Sequence, residues 1–194
     1  MRMHPIHRPR GLMLRLAYWM SERRLGKAIT PLKVAYARVP HFLKTGYSIS
    51  KMMGEGFKLD PALRILLQVH TAQNNKCAFC VDIAQAEAAH DAGILEKATR
   101  VREYATDPGF TTRERAALKY VEDATIIKSV SDDVYQELKR HFSEEEICEI
   151  TLINAIENFF NLVNIPLEIE SDNLCAVALA RHRPSSIPAA NATH

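Results

Sequence analysis

The chain has no apolar run long enough to span a bilayer, so no transmembrane helix and no membrane insertion are expected. It carries only four cysteines in 194 residues. That is too few for a disulfide-stapled secreted scaffold, and a reducing, cytoplasmic setting fits the usage. No stretch alternates apolar and polar residues with period two, which argues against strands, and no internal repeat is evident. No nucleic-acid-binding motif accompanies the basic residues, so no nucleic-acid partner is expected. A zinc site needs four ligands, and Cys77-x-x-Cys80 has neither a second such pair nor a spaced histidine pair to complete one. Neither a metal nor an organic cofactor is called for.

What is present is an ordinary globular composition, 47% apolar and 25% charged, in a length that suits one domain. The net charge of +2 hides an asymmetry. Residues 1–53 hold eleven Lys/Arg against the single acid Glu22, net +10, and the remainder is net −8. Such a basic region can bind an acidic partner or surface, but packing against the acidic remainder is the simpler reading. An Arg-rich, acid-poor start also resembles a transit peptide, although periodic apolar residues continue through residue 53. Residues 1–10, with two prolines, read as an irregular basic arm, residues 11–180 as one all-α domain, and residues 181–194 as a disordered tail.

Within the domain the pattern is helical throughout. Leu12, Leu16 and Trp19 share one face of a segment that ends at Gly26. A second segment runs from His41 to Met53 and closes at Gly54-Glu55-Gly56. Asp60-Pro61 is a helix start with a capping residue followed by proline at the first position. Thr111 with Glu114 and Ser143 with Glu146 have capping-box form, and Ser131 with Asp132 and Asp133 opens another helix. Asp107-Pro108-Gly109 is a turn. The expected architecture is all-α, with about eight or nine helices.

Chemistry is announced at one place, Cys77-Ala78-Phe79-Cys80. A Cys-x-x-Cys pair at a helix N-terminus can cycle between dithiol and disulfide, because the partial positive charge there favours the thiolate. Lys76 beside the first cysteine would assist, and Asp82 would oppose if close. The preceding helix is apolar almost all round, with Arg64, Gln68, Thr71 and Asn75 as its polar strip, so it is central. His70 projects from its apolar face and reads first as a hydrogen-bonded core histidine, second as a base. Cys148 and Cys175 stand alone in apolar surroundings, as small hydrophobes do. Farther on, Thr151, Asn154, Asn158 and Asn161 align on one helix face with Glu157 at its edge. That ridge suits a wet channel, a hydrogen-bonded seam or plain solvent exposure, and if buried each amide needs partners.

The run from Val69 through Cys77-Ala-Phe-Cys80 to Gly93 resembles the core of the carboxymuconolactone decarboxylase/alkylhydroperoxidase D-like (AhpD-like) superfamily. The helices opening at Thr111, Ser131 and Ser143 follow in a similar order, so that the likeness covers Gly26 to about Ala176. The resemblance implies an all-helical fold assembled as a homo-oligomer (dimer, trimer or hexamer). It also implies peroxide reduction by the Cys-x-x-Cys, with Cys80 as the attacking thiol and Cys77 as the resolving one. Redox-active members use a histidine four residues after the second cysteine and a glutamate about twelve before the first; those positions here are Ala84 and Ile65. His70 is rotated by about 140° from the Ile65 direction, and His90 lies too far along the helix. The proton relay is therefore missing, and Lys76, His70, Asp82, Asn154 and Asn158 are the supporting candidates.

The expected function is thiol-dependent reduction of a small peroxide or disulfide, with a thiol reductant as the second substrate. Two other readings stay open: an inactive scaffold or small-molecule-binding oligomer, and, ranked below it, a carboxymuconolactone-type decarboxylase, which would call for a cationic pocket.

Overall fold

A computed structural model describes residues 1–54 and 56–182. Nine α-helices form among the described residues: α1 (Leu12–Leu25), α2 (Phe42–Gly54), α3 (Pro61–Asn74), α4 (Ala78–Ala88), α5 (Ala92–Thr99), α6 (Thr112–Ile126), α7 (Asp132–Lys139), α8 (Glu144–Asn164) and α9 (Leu174–His182). The all-α expectation holds, and none of these helices is long and apolar enough to cross a membrane. The tail expected over 181–194 lies, from residue 183 onward, outside the described residues; Arg181 and His182 close α9.

Helix starts follow the chemistry of their caps. The Asp60 carboxylate accepts from the Leu63 amide, with Pro61 in the first turn. Full capping boxes form at Thr111/Glu114 and Ser143/Glu146, and the Ser131 hydroxyl accepts from the Val134 amide. At the other end of α1, Gly26 adopts φ 87°, and a Cβ there would lie 2.6 Å from Val177, so α1 can meet α9 only through a glycine.

Helix α3 is the hub. It packs against α4, α5, α6 and α8, and Leu66, Leu67 and Val69 are buried at its centre. The main core joins these residues to Ala117, Leu118 and Val121 of α6 and to Ile150 and Ile153 of α8. A smaller core gathers around the cysteines: Val34, Ala72, Cys77, Phe79, Cys80, Ile169 and Leu174. The buried Glu149 carboxylate accepts from the amides of Lys58 and Leu59, which sets the entry into α3.

Leu12, Leu16 and Trp19 do share one face, and the reading of the lone cysteines needs correction. The Leu12/Leu16/Trp19 face of α1 points outward, with Leu12 82% exposed; Leu14 and Tyr18 are the buried positions. On the opposite, buried face the Tyr18 hydroxyl donates to the Ile6 carbonyl and so ties the N-terminal segment to that side of the helix. Cys148 is exposed and Cys175 half-buried; on α8, Cys148 points away from the side that buries Ile147, Glu149, Ile150 and Ile153.

Candidate functional site

The turn between α3 and α4 places the cysteines. The Lys76 amide donates to the Gln73 carbonyl and the Cys77 amide to the Ala72 carbonyl, the pair of bonds of a Schellman ending. The left-handed residue in it is Lys76, at φ 61°, a conformation that costs a non-glycine residue about 1 kcal/mol. This tight ending makes Cys77 the N-cap of α4 and puts Cys80 in its first turn. The two sulfurs are joined as a disulfide, and both residues are 2% exposed. At the N-terminal end of α4, a thiolate released from that bond is favoured by the helix-end charge.

The two cysteines border different spaces. Cys80 lines a cavity of about 210 Å³ together with Phe79, Ile83, Phe160, Asn164 and the two acids Glu87 and Glu157. Cys77 borders an open cleft instead, with Gln73, Lys76, Asp82, Arg102 and Ser171 around it. The dithiol thus lies between a largely apolar cavity and a more open surface cleft that carries Lys76, Arg102 and Asp82.

Helix α8 supplies Glu157 and Asn164 to the Cys80 cavity. Glu157, Asn161 and Asn164 recur at the spacing that puts them on one face. The Asn164 amide donates to Cys80 Sγ at 3.3 Å, and its buried Oδ1 has no partner. One side chain can therefore donate to a thiolate or, turned over, accept from a thiol. Asn161 Nδ2 donates to Glu157 Oε1 at 2.7 Å. The Glu157 carboxyl is buried, and desolvation pushes it up to about 8, helped by the nearby Glu87 charge and opposed by the Asn161 bond. Glu87 is also raised, by desolvation of its inner part, although 44% of its side chain stays exposed at the cavity mouth and Arg24 opposes the shift.

Behind this face the asparagine ridge is a seam rather than a solvent surface. Thr71 and Thr125 donate to Asn154 Oδ1, Asn158 donates back to Asn154, and Asn75 donates to both Asn158 and Asn161. The chain of bonds runs from the core to Glu157. Asn154 and Asn158 thus support the site at one or two removes, without lining the Cys80 cavity.

The other sequence candidates lie outside the Cys80 cavity. His70 is buried, bonded through Nε2 to Glu122 at 3.2 Å and packed edge-on against Tyr104, as a core histidine on the α6 side; burial lowers its pKa. Asp82 lines the Cys77 cleft, and its carboxylate accepts from Ser171 Oγ and from the Leu174 and Cys175 amides, and so caps α9. Lys76 sits exposed on the cleft rim. Ala84 lines the Cys80 cavity and Ile65 the adjoining chamber, so neither relay position carries an ionisable group. Asn164 and the acids Glu87 and Glu157 escaped assignment. The available signal was an acid within the buried stretch of α8, spaced four and seven residues ahead of two asparagines.

Among the described residues no cluster of three or more His, Cys, Asp or Glu could hold a metal ion. Comparison with known proteins gives a match over residues 49–123 to the carboxymuconolactone decarboxylase family. The uncharacterized protein YnjA of Escherichia coli is 29% identical over 171 residues, covering 86% of this chain and 92% of that one. The crystal structure of the debrominase Bmp8 superposes with a TM-score of 0.77 at 20% identity, over 91% of this chain and 95% of that one, a likeness of fold. A protein of unknown function from Agrobacterium tumefaciens, for which an AhpD antioxidant-defence role has been suggested, superposes with a TM-score of 0.66 at 27% identity, over 71% of this chain and 96% of that one.

Proposed function

We propose that this chain, which belongs to the carboxymuconolactone decarboxylase/AhpD-like superfamily, is a thiol-dependent peroxidase that works through the Cys77–Cys80 pair. The observation that carries the reading is the company of Cys80: a buried helix-end sulfur in the wall of a largely apolar cavity, with an amide donor on it and a glutamate raised to about 8 in the same wall.

Glu157 takes the part of the missing relay. In its ionised fraction it accepts the Cys80 proton, while the Asn164 amide and the α4 N-terminus stabilise the thiolate. The thiolate attacks one oxygen of a hydroperoxide ROOH and the O–O bond breaks. ROH leaves with the proton held by Glu157, and Cys80 becomes a sulfenic acid. The Cys77 thiol then attacks that sulfur, giving the disulfide and releasing water. An external dithiol enters from the cleft and attacks Cys77, which frees Cys80 as the leaving thiolate in its polar niche. Its second thiol closes the reductant's own disulfide. Overall, ROOH and a dithiol become ROH, water and a disulfide. A reducing, cytoplasmic setting suits the regeneration step.

The working form is a homo-oligomer. Support comes from the large apolar side chains left exposed on α1 and α2, namely Leu12, Leu16, Trp19, Tyr47 and Met52, more than a free surface usually carries in one region. Light scattering on the full chain tests this, and a monomer at micromolar concentration would refute it.

The activity is tested by peroxide-dependent oxidation of a dithiol in the wild type and in Cys80→Ser. Turnover is expected in the first and none in the second. Cysteines that resist both oxidation and labelling in the folded protein would favour the inactive-scaffold reading instead.

A further inference from the structure

A second chamber adjoins the Cys80 cavity and shares Arg24, Gln68 and Glu87 with it as a common wall. Its lining adds Arg64, Arg181 and His90, so three guanidinium groups converge around one carboxylate. Two of the three arginines are held in place by carbonyls. Arg64 donates to the Met53 carbonyl at 2.7 Å, and Arg181 to the Arg24 carbonyl at 3.1 Å. The Arg64 Nε is buried with no partner among the described residues. Glu87 meets Arg24 only at 3.8 Å, and desolvation works against its ionisation. The positive charge of the chamber is therefore left largely uncompensated, in a recess with oriented donors.

We infer that this chamber binds the carboxylate of an amphipathic organic acid whose apolar body reaches through to the Cys80 cavity. Arginine forks suit a carboxylate, which they can hold by two parallel hydrogen bonds. The inner cavity suits an alkyl or aryl body, through Phe79, Ile83 and Phe160. It also limits the ligand to one charge. A diacid would set its second carboxylate beside Glu157 and Glu87, with no cation deeper in the cavity than Arg24. The inference rests on the peroxidase reading only in naming the reacting end: the substrate is a hydroperoxide of a monocarboxylic acid, anchored by its acid end.

Calorimetric titration of the full chain in its disulfide form with octanoate and with its neutral isostere octanamide tests the binding apart from any turnover. Octanoate is expected to bind roughly tenfold tighter, with the margin shrinking as salt rises. In Arg64→Gln and in Arg181→Gln the margin is expected to fall to about threefold or less, with octanamide affinity unchanged. Equal affinities in the wild type, no binding of either compound, or a margin that survives both substitutions would overturn the inference. Should either variant fail to fold, the wild-type ratio and its salt dependence still decide. A protein that prefers octanoate yet reduces no peroxide would refute the peroxidase reading and leave the anion site standing.

Discussion

Replacing Glu157 by glutamine probes the buried carboxyl on which the proposed relay depends. Glutamine keeps the shape and the carbonyl that accepts from Asn161 Nδ2. It removes only the ability to ionise. In the folded chain Glu157 is raised from the ordinary carboxylate range near 4.5 to about 8. Between those limits the folded state binds more protons than the unfolded state, so this residue lowers stability steadily as pH rises through the window. The effect is absent near pH 4 and complete above about pH 8. At about 1.4 kcal/mol per tenfold change in acidity, its ceiling is about 5 kcal/mol, and water admitted to the cavity reduces it. Urea denaturation of the disulfide form should therefore show Glu157→Gln close to wild type at about pH 5 and more stable by a few kcal/mol at about pH 9. Turnover should move the opposite way. Wild-type activity should climb with pH through about 8 as Glu157 ionises, whereas the variant should lose that limb and fall by about a hundredfold. A variant with the wild-type pH slope in both stability and rate would refute the reasoning.

Other outcomes follow from single contacts. Asn164→Ala removes the donor on Cys80 Sγ and should slow alkylation of reduced Cys80 at neutral pH roughly tenfold, as read by mass spectrometry. Asp82→Ala strips three accepted hydrogen bonds from the start of α9 and should cost about 2–3 kcal/mol in urea denaturation, with faster amide exchange confined to α9 and the segment before it. Lys76→Gly relieves the left-handed position between α3 and α4 and should raise stability by about 0.5–1 kcal/mol in the reduced protein; a loss of stability would mean that the lysine side chain holds the turn.

Much of the fold was legible because local chemistry sets it. Asp60, Thr111, Ser131 and Ser143 each cap the helix that their neighbours suggested, and the nearly all-apolar face of α3 marked it as central. Which face of α1 turns inward was not legible, because helical spacing aligns Leu12 with Leu16 without saying that Tyr18, on the opposite side of the same helix, will be the one tied down. The cysteine pair was legible for the same local reason, a short motif on one helical turn. Its polar surroundings were not. Asn164 and Glu157 come from α8, more than 75 positions away in sequence, and only packing of α8 against α3 and α4 brings them to Cys80. The structural part of Asp82 was hidden for the same kind of reason, since the backbone amides it caps belong to α9.

The most direct measurement is steady-state peroxide reduction with a small dithiol as reductant, run on the wild type, Cys80→Ser and a variant lacking both Cys77 and Cys80. The account predicts peroxide-dependent dithiol oxidation in the wild type and none above the uncatalysed rate in either variant. Turnover that persists with both cysteines replaced would contradict it.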